Sequence, residues 1–295
     1  MNTNEIHAYL IMAHNNIRTL NILLEMIDDE RNHIFIHIDQ KSNIQFDELY
    51  KVKHARLFPI FCRQKIYWGN YSQIKLELSL FEEAYSNGPY LYYHLLSGAD
   101  LPIKTQDYIH SFFKENNGKE FIGFAQGINN EQDCYRKIMR LHFLTQWKRT
   151  NNIFKKIIMS TIVKYFELII NSVHKNKSSY YFKKGANWVS ITNDCCFYIL
   201  QHKDFIQQHF KYSLCGDEIF LQSIIFNSPF YQKCYSINDE YEGCMRAIDW
   251  TRGSPYEWKV SDFDELINSN KLFARKFTDS NIDLILKIKN YILKH

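Results

Sequence analysis

The chain has 295 residues, 45% of them hydrophobic and 23% charged, with a formal net charge of +4. That suffices for one large α/β domain or two small ones and excludes a disordered or fibrous chain. Seven cysteines without any C-x-x-C spacing imply neither a disulfide framework nor a zinc site, and they fit a reducing compartment. The opening M-N-T-N-E-I-H-A-Y-L lacks the pattern of a secretory signal, and no run of about 18 apolar residues occurs, so a cytoplasmic protein is expected.

Residues 8–12 read as an apolar strand. After His14, Asn15 and Asn16 come Ile17, Leu20, Leu23, Leu24 and Ile27 at helical spacing, with Asn15 or Asn16 placed to cap. Residues 33–39 carry isoleucine at every second position and deliver Asp39 to the end of a second strand, completing a βαβ unit. Neither G-x-G-x-x-G nor a P-loop occurs, so a nucleotide would bind without a glycine cradle. His14 and Asp39, at two strand ends, are candidates to meet one, although His14 reads equally as a histidine satisfied by backbone. Residues 57–61 form a third strand, which Pro59 assigns to an edge. A helix follows with Ile74, Leu78, Phe81 and Ala84 on one side.

Residues 90–96 are an almost unbroken apolar and aromatic run, the pattern of a central strand buried on both faces. It stops at Ser97-Gly98-Ala99-Asp100, and Pro102 forbids a simple continuation. Asp100 would therefore stand at the carboxyl end of a central strand, where open α/β sheets bind ligands, or serve only to form the turn. Thr105 caps a helix with Ile109, Phe112 and Phe113 inward, and residues 120–124 read as a further strand. The alternation predicts an α/β fold with a mostly parallel sheet flanked by helices.

Between Arg136 and Lys184 twelve lysines and arginines face the single acid Glu167, with Phe143, Trp147, Phe154, Tyr165 and Phe166 interleaved. Contact with an anionic membrane surface is the leading expectation, ahead of a phosphorylated substrate, with a solvated helical face as the plain alternative. No sequence-specific nucleic-acid motif is present, and no nucleic-acid partner is expected. Residues 185–192 return as turn and strand, and Asn193 begins a short helix. Gly216-Asp217-Glu218 then opens a helix with Phe220, Leu221, Ile224 and Ile225 inward. Asp217 alone would favour the positive end of that helix, which leaves Glu218 spare. Asp262-Phe263-Asp264 has the D-x-D form of some metal sites, but Glu265 and the apolar face after it make it a helix start. Residues 279–293 form a closing amphipathic helix.

Several of these stretches match one family together. They are Tyr9-Leu10-Ile11 with His14, Ile36-His37-Ile38-Asp39 with Lys41-Ser42, Trp68-Gly69 with Ser72, and Leu96 through Thr105. Gly185 with Trp188, Asp217-Glu218, Ile248-Asp249-Trp250 with Ser254-Pro255, and Leu272-Phe273-Ala274-Arg275-Lys276-Phe277 continue the match in order. Over nearly the whole chain the sequence resembles the core-2/I-branching β-1,6-N-acetylglucosaminyltransferase family, which also includes the peptide O-xylosyltransferases. The resemblance implies one GT-A-type domain over residues 1–295 with a basic helical insertion at 136–184. It implies inverting transfer of N-acetylglucosamine, or alternatively xylose, from a UDP-sugar to a hydroxyl of a glycan or lipid-linked glycan for the cell surface. No metal is expected, because basic side chains neutralise the leaving diphosphate. Glu218 corresponds to the catalytic base, Lys276 to the diphosphate lysine, and Arg246 or Arg252 to the diphosphate arginine. His14, Asp39 and Arg63 would lie near the nucleoside, and Asp100, Trp188 and Asp217 near the sugar, with Trp188 equally readable as a core residue. Lack of an anchor and of the disulfide set suggests a bacterial-type member working at the inner face of the membrane. A non-catalytic nucleotide-sugar binding protein is the alternative from another class.

Overall fold

The computed structural model describes residues 5–142, 153–173 and 180–294. Strand β1 (His7–Ala13), helix α1 (Ile17–Met26) and strand β2 (Asn32–Ile38) form the expected βαβ unit, with β1 and β2 parallel and Leu10 opposite Phe35. Strand β3 (Arg56–Pro59) pairs with β2 at the sheet edge, as a proline without an N–H requires. Helix α2 (Tyr71–Asn87) leads to β4 (Tyr92–Ser97), which is buried throughout and lies parallel to β1.

The chain continues through β5 (Asp100–Pro102), α3 (Gln106–Glu115), α4 (Ile128–Met139) and α5 (Ile153–Val173). Strand β6 (Ser190–Thr192) adds antiparallel to β4 and completes a sheet of order β3-β2-β1-β4-β6. Helices α6 (Asn193–Gln201), α7 (Lys203–Phe210), α8 (Phe220–Phe226) and α9 (Glu240–Cys244) follow. Strand β7 (Arg246–Ile248), α10 (Phe263–Asn268), β8 (Phe273–Arg275) and α11 (Ile282–Ile292) close the fold. A second sheet of order β5-β8-β7 sets Asp100 and Ile248 on either side of Arg275.

Alternate residues of each central strand feed opposite cores. Tyr9, Ile11, Ile34 and Leu96 pack with Leu20, Leu23, Ile285 and Ile288, whereas Ala8, Leu10, Phe35 and Leu95 pack with Phe81, Ile199 and Leu221.

The chain turns after Ser97, as expected, and passes from the first sheet into the second, where β5 is an edge strand that tolerates Pro102. Two local expectations are corrected. Residues 120–124 form no strand but only single bridges from Glu120 to Cys234 and from Phe121 to Ser190. Neighbouring β6 is three residues long, and at Gly123 the chain packs so closely on the backbone of Glu240 that a Cβ would lie 2.3 Å from its carbonyl oxygen. Neither Asn15 nor Asn16 caps α1. Asp279 does so from across the molecule, accepting from the Thr19 N–H at 2.8 Å, the Thr19 hydroxyl at 2.7 Å and the Arg18 N–H at 3.3 Å. Of the basic stretch, Phe143 and Trp147 lie outside the described residues.

Candidate functional site

The carboxyl ends of β1, β2 and β4 bring His14, Asp39 and Asp100 to one side of the sheet. Asp39 is almost buried, and its Oδ1 accepts from the Lys41 N–H at 2.8 Å. Loss of water holds the His14 imidazole below its ordinary pKa. Asp39 opposes that effect, and the charges of Arg275, Lys41 and Lys276 add to it. Arg63 does not present its guanidinium to a nucleoside. It donates to the carbonyls of Ile38 (3.1 Å), Asp39 (2.7 Å), Ser42 (2.8 Å) and Ile44 (3.1 Å), and so shapes the loop that carries Asp39.

Asp100 is 2% exposed and already partnered. Its Oδ2 accepts from the Ser97 N–H at 2.6 Å, and its Oδ1 accepts from Arg275 Nη1 at 2.8 Å. The Arg275 guanidinium lies 4.4 Å from the centroid of the Trp188 ring. Asp100 and Trp188 therefore hold Arg275 between them, and neither offers a free group to a sugar in this arrangement. The next residue, Lys276, points elsewhere and donates to Glu257 Oε1 at 3.1 Å, while the Phe277 N–H donates to the Ala99 carbonyl at 2.9 Å. Two successive cations thus sit beside the end of β4.

Glu218 ends a single helical turn, Gly216–Glu218, ahead of α8. Its backbone is fixed from two sides. A Cβ on Gly216 would lie 2.2 Å from Ser213 Oγ, and the Gly185 N–H donates to the Glu218 carbonyl at 2.9 Å. Lys137 and Lys184 stand 3.6 and 3.7 Å from Glu218 Oε2 without closing to hydrogen bonds, and both reach Asp133, at 2.9 and 3.2 Å. Asp217 turns inward instead of toward a sugar, with Oδ2 accepting from Gln73 Nε2 at 3.2 Å. Burial pushes its carboxyl up to about 7, and the charge of Glu218 adds to the shift. Beneath it Glu77 is fully buried and accepts from Asn187 Nδ2 at 2.8 Å, with burial first and Asp217 second pushing it far above the ordinary carboxylate range.

The segment from Gly185 to Trp188 links the two groups, because Gly185 braces Glu218 and Trp188 bears Arg275. Three residues reach at most about 10 Å, the scale of a bound sugar diphosphate.

Neither candidate arginine joins this constellation. Arg246 is 2% exposed and donates to the Cys244 carbonyl (2.5 Å), the Val189 carbonyl (3.0 Å) and Ser190 Oγ (2.9 Å), with its guanidinium 4.5 Å from the Phe273 ring. Arg252 is enclosed by acids. It contacts Asp249, reaches Glu265 Oε1 at 2.9 Å and Asp262 Oδ1 at 3.4 Å, and lies over Tyr256 at 4.5 Å. Asp262 also accepts from the Lys259 N–H at 2.8 Å, the local role expected of a helix start. Among the described residues, no cluster of three histidine, cysteine or acidic side chains is arranged to hold a metal ion.

Arg275, Lys137 and Lys184 were not singled out in the sequence. Arg275 adjoins Lys276, and only its pairing opposite Asp100 gives it a place in the site. The two lysines belong to the basic stretch, part of whose charge is thereby explained by Asp133 and Glu218.

A model of the "Core-2/I-Branching enzyme" family matches residues 7–268. "Xylosyltransferase 2" from Rattus norvegicus is 22% identical over 309 residues, covering 97% of this chain and 33% of the relative. The Mus musculus protein of the same name is 23% identical over 312 residues, with the same coverage. "Xylosyltransferase 1" from Homo sapiens is 21% identical over 297 residues, covering 92% of this chain and 28% of the relative. The chain thus spans about a third of the length of the curated relatives it matches.

Proposed function

The chain belongs to the Core-2/I-branching enzyme family, a family of glycosyltransferases of GT-A-like fold, and from that premise we propose that it moves one sugar from a UDP-sugar to a hydroxyl of a glycan acceptor, with inversion and without a metal ion. One observation supports the reading: Gly185 braces Glu218 at one end of the segment from Gly185 to Trp188, and Arg275 lies over Trp188 at the other, with Lys276 next to it in the chain and paired with Glu257. Glu218 takes the proton of the incoming hydroxyl as its oxygen attacks the anomeric carbon. The bond from that carbon to UDP breaks, and the electron pair leaves on the terminal phosphate. Lys276, turned away from Asp100, meets the developing charge, and Arg275 adds its field from a position fixed beforehand.

The relatives named xylosyltransferases put xylose beside N-acetylglucosamine as the donor sugar. Comparing thermal stabilisation by UDP-xylose and UDP-N-acetylglucosamine decides between them. The acceptor is a glycan, or a glycan carried on a lipid for the cell surface and met at the inner face of the membrane. The test is transfer measured in chelator together with UDP affinity. Glu218→Gln should keep the affinity and lose turnover by about 10²- to 10⁴-fold. Near-parent turnover would remove Glu218 as the base, and loss of the parent's activity in chelator would remove the metal-free mechanism.

A further inference from the structure

Helix α5, Ile153–Val173, is 21 residues long, roughly 31 Å, and among its described side chains only Val163 is buried. Glu167 reaches His142 Nδ1 at 3.7 Å. Much of the described surface of the helix is apolar and open: Phe154 is 80% exposed and Leu168 64%. Phe154, Ile158, Ile162, Phe166 and Ile169 recur at intervals of four, four, four and three residues, so they line up as one stripe along the helix. An unbroken apolar stripe of this length goes beyond the scattered apolar surface of a soluble protein and marks a contact.

Charge identifies the partner. Of the twelve cations between Arg136 and Lys184, Arg136, Lys137, Lys183 and Lys184 engage Asp133, Glu131 or Glu218. Lys164, within α5, is exposed, and the sequence places Lys155 and Lys156 in the same helix. A protein groove would account for the stripe but not for the basic character of the helix that carries it. A bilayer with anionic headgroups accounts for both, because the stripe enters the acyl boundary while the lysines reach the phosphates. With Lys155, Lys156, Lys164 and Glu167 along its length, the helix lies in the interface and does not cross it. We propose that α5 docks this protein on an anionic lipid surface. The inference stands on α5 alone and is independent of the catalytic assignment.

The test is co-sedimentation with vesicles of phosphatidylglycerol and phosphatidylcholine, against vesicles of phosphatidylcholine alone. The protein should pellet with the anionic vesicles at low salt, and should be released by high salt. The triple variant Phe154→Ser, Ile158→Ser, Phe166→Ser and the double variant Lys155→Glu, Lys164→Glu should each lower partitioning by about tenfold or more. Melting temperatures equal to the parent's would show that both remain folded. Parent protein left in the supernatant, variants that bind as well as the parent, or equal binding to neutral vesicles would overturn the proposal. So would a parent that is dimeric in light scattering and becomes monomeric in the triple variant without binding lipid, since the stripe would then belong to a second copy.

Discussion

A carboxyl group set next to another acid and away from water keeps its proton, and Asp217 is such a group. Amides from Gln73 and Asn187 supply one hydrogen bond each to Asp217 and Glu77, and Asp217 Oδ1 and Glu77 Oε2 have no partner among the described residues. Folding raises Asp217 from its ordinary 3.8 to about 7, so between those values the native state holds a proton that the unfolded chain has released. Stability on this account is full below about pH 4, falls as pH rises through the window and levels off above about pH 7. Glu120, held by the Thr192 N–H and hydroxyl and pushed up by burial to about 7, slopes the same way. Asp217→Asn should therefore flatten part of the fall and gain on the order of 1 kcal/mol or more near pH 8, read as melting temperature against pH. An unchanged slope would mean that Asp217 is ionised in the folded protein. The neighbouring prediction concerns a cation in partial contact with solvent. Lys276→Ala should weaken UDP binding by about tenfold, and an unchanged dissociation constant would release Lys276 from the diphosphate. The residues alone left Glu218 spare beyond a helix cap, whereas Lys276 came only from the family resemblance of the stretch from Leu272 to Phe277. Neither announced that Asp217 faces inward, since two adjacent acids on a turn point in opposite directions, and only packing decides which meets water.

Elements were legible where a segment carries its own evidence. Strands β1, β2 and β4 declare themselves through apolar runs, and Pro59 declares the edge position of β3, because these properties belong to the segment. Residues 120–124 look like a strand but lack an adequate neighbour, and pairing is a property of two segments. The start of α1 failed for a related reason. Asn16 adopts a left-handed conformation, with φ of 55°, and makes no side-chain cap, whereas the carboxylate that does the work lies 260 residues from Thr19. That cap also ties α1 to the turn entering α11, and the two helices share one core. Asp279→Ala should cost about 1–2 kcal/mol in denaturant unfolding, whereas Asn15→Ala should cost almost nothing. Equal losses would show that the local asparagines cap the helix after all.

At the scale of the molecule, two sheets must be held in a fixed relation for Glu218 and Lys276 to face one ligand, since one is reached through the first sheet and the other follows the second. The turn from β4 into β5 makes one join. Arg246 makes another, leaving β7 to bond the Val189 carbonyl and Ser190 Oγ beside β6. From there the polar path continues through Ser190 Oγ to His94 Nδ1 at 2.8 Å and from His94 Nε2 to His7 Nδ1 at 3.0 Å, reaching β4 and β1. Burial lowers Arg246 to about 10, so it remains a cation at neutral pH, and among the described residues no carboxylate pairs with it. Burial likewise keeps His94 and His7 well below their ordinary pKa, and both are neutral there. A fixed charge in such a place is tolerated because three acceptors and the Phe273 ring surround it, and it is costly to remove for the same reason. Arg246→Met keeps the volume and strips those acceptors of their donor, so it should lower stability by about 3 kcal/mol. Arg246→Lys should recover little of that, having no planar fork to span carbonyl and hydroxyl. UDP affinity measured well below the melting temperature should stay at the parent's value in both variants, opposite to the behaviour of Lys276→Ala. Lost affinity with undiminished stability would instead put the Arg246 guanidinium on the diphosphate, and the second sheet would then be joined to the first through the β4–β5 turn without it.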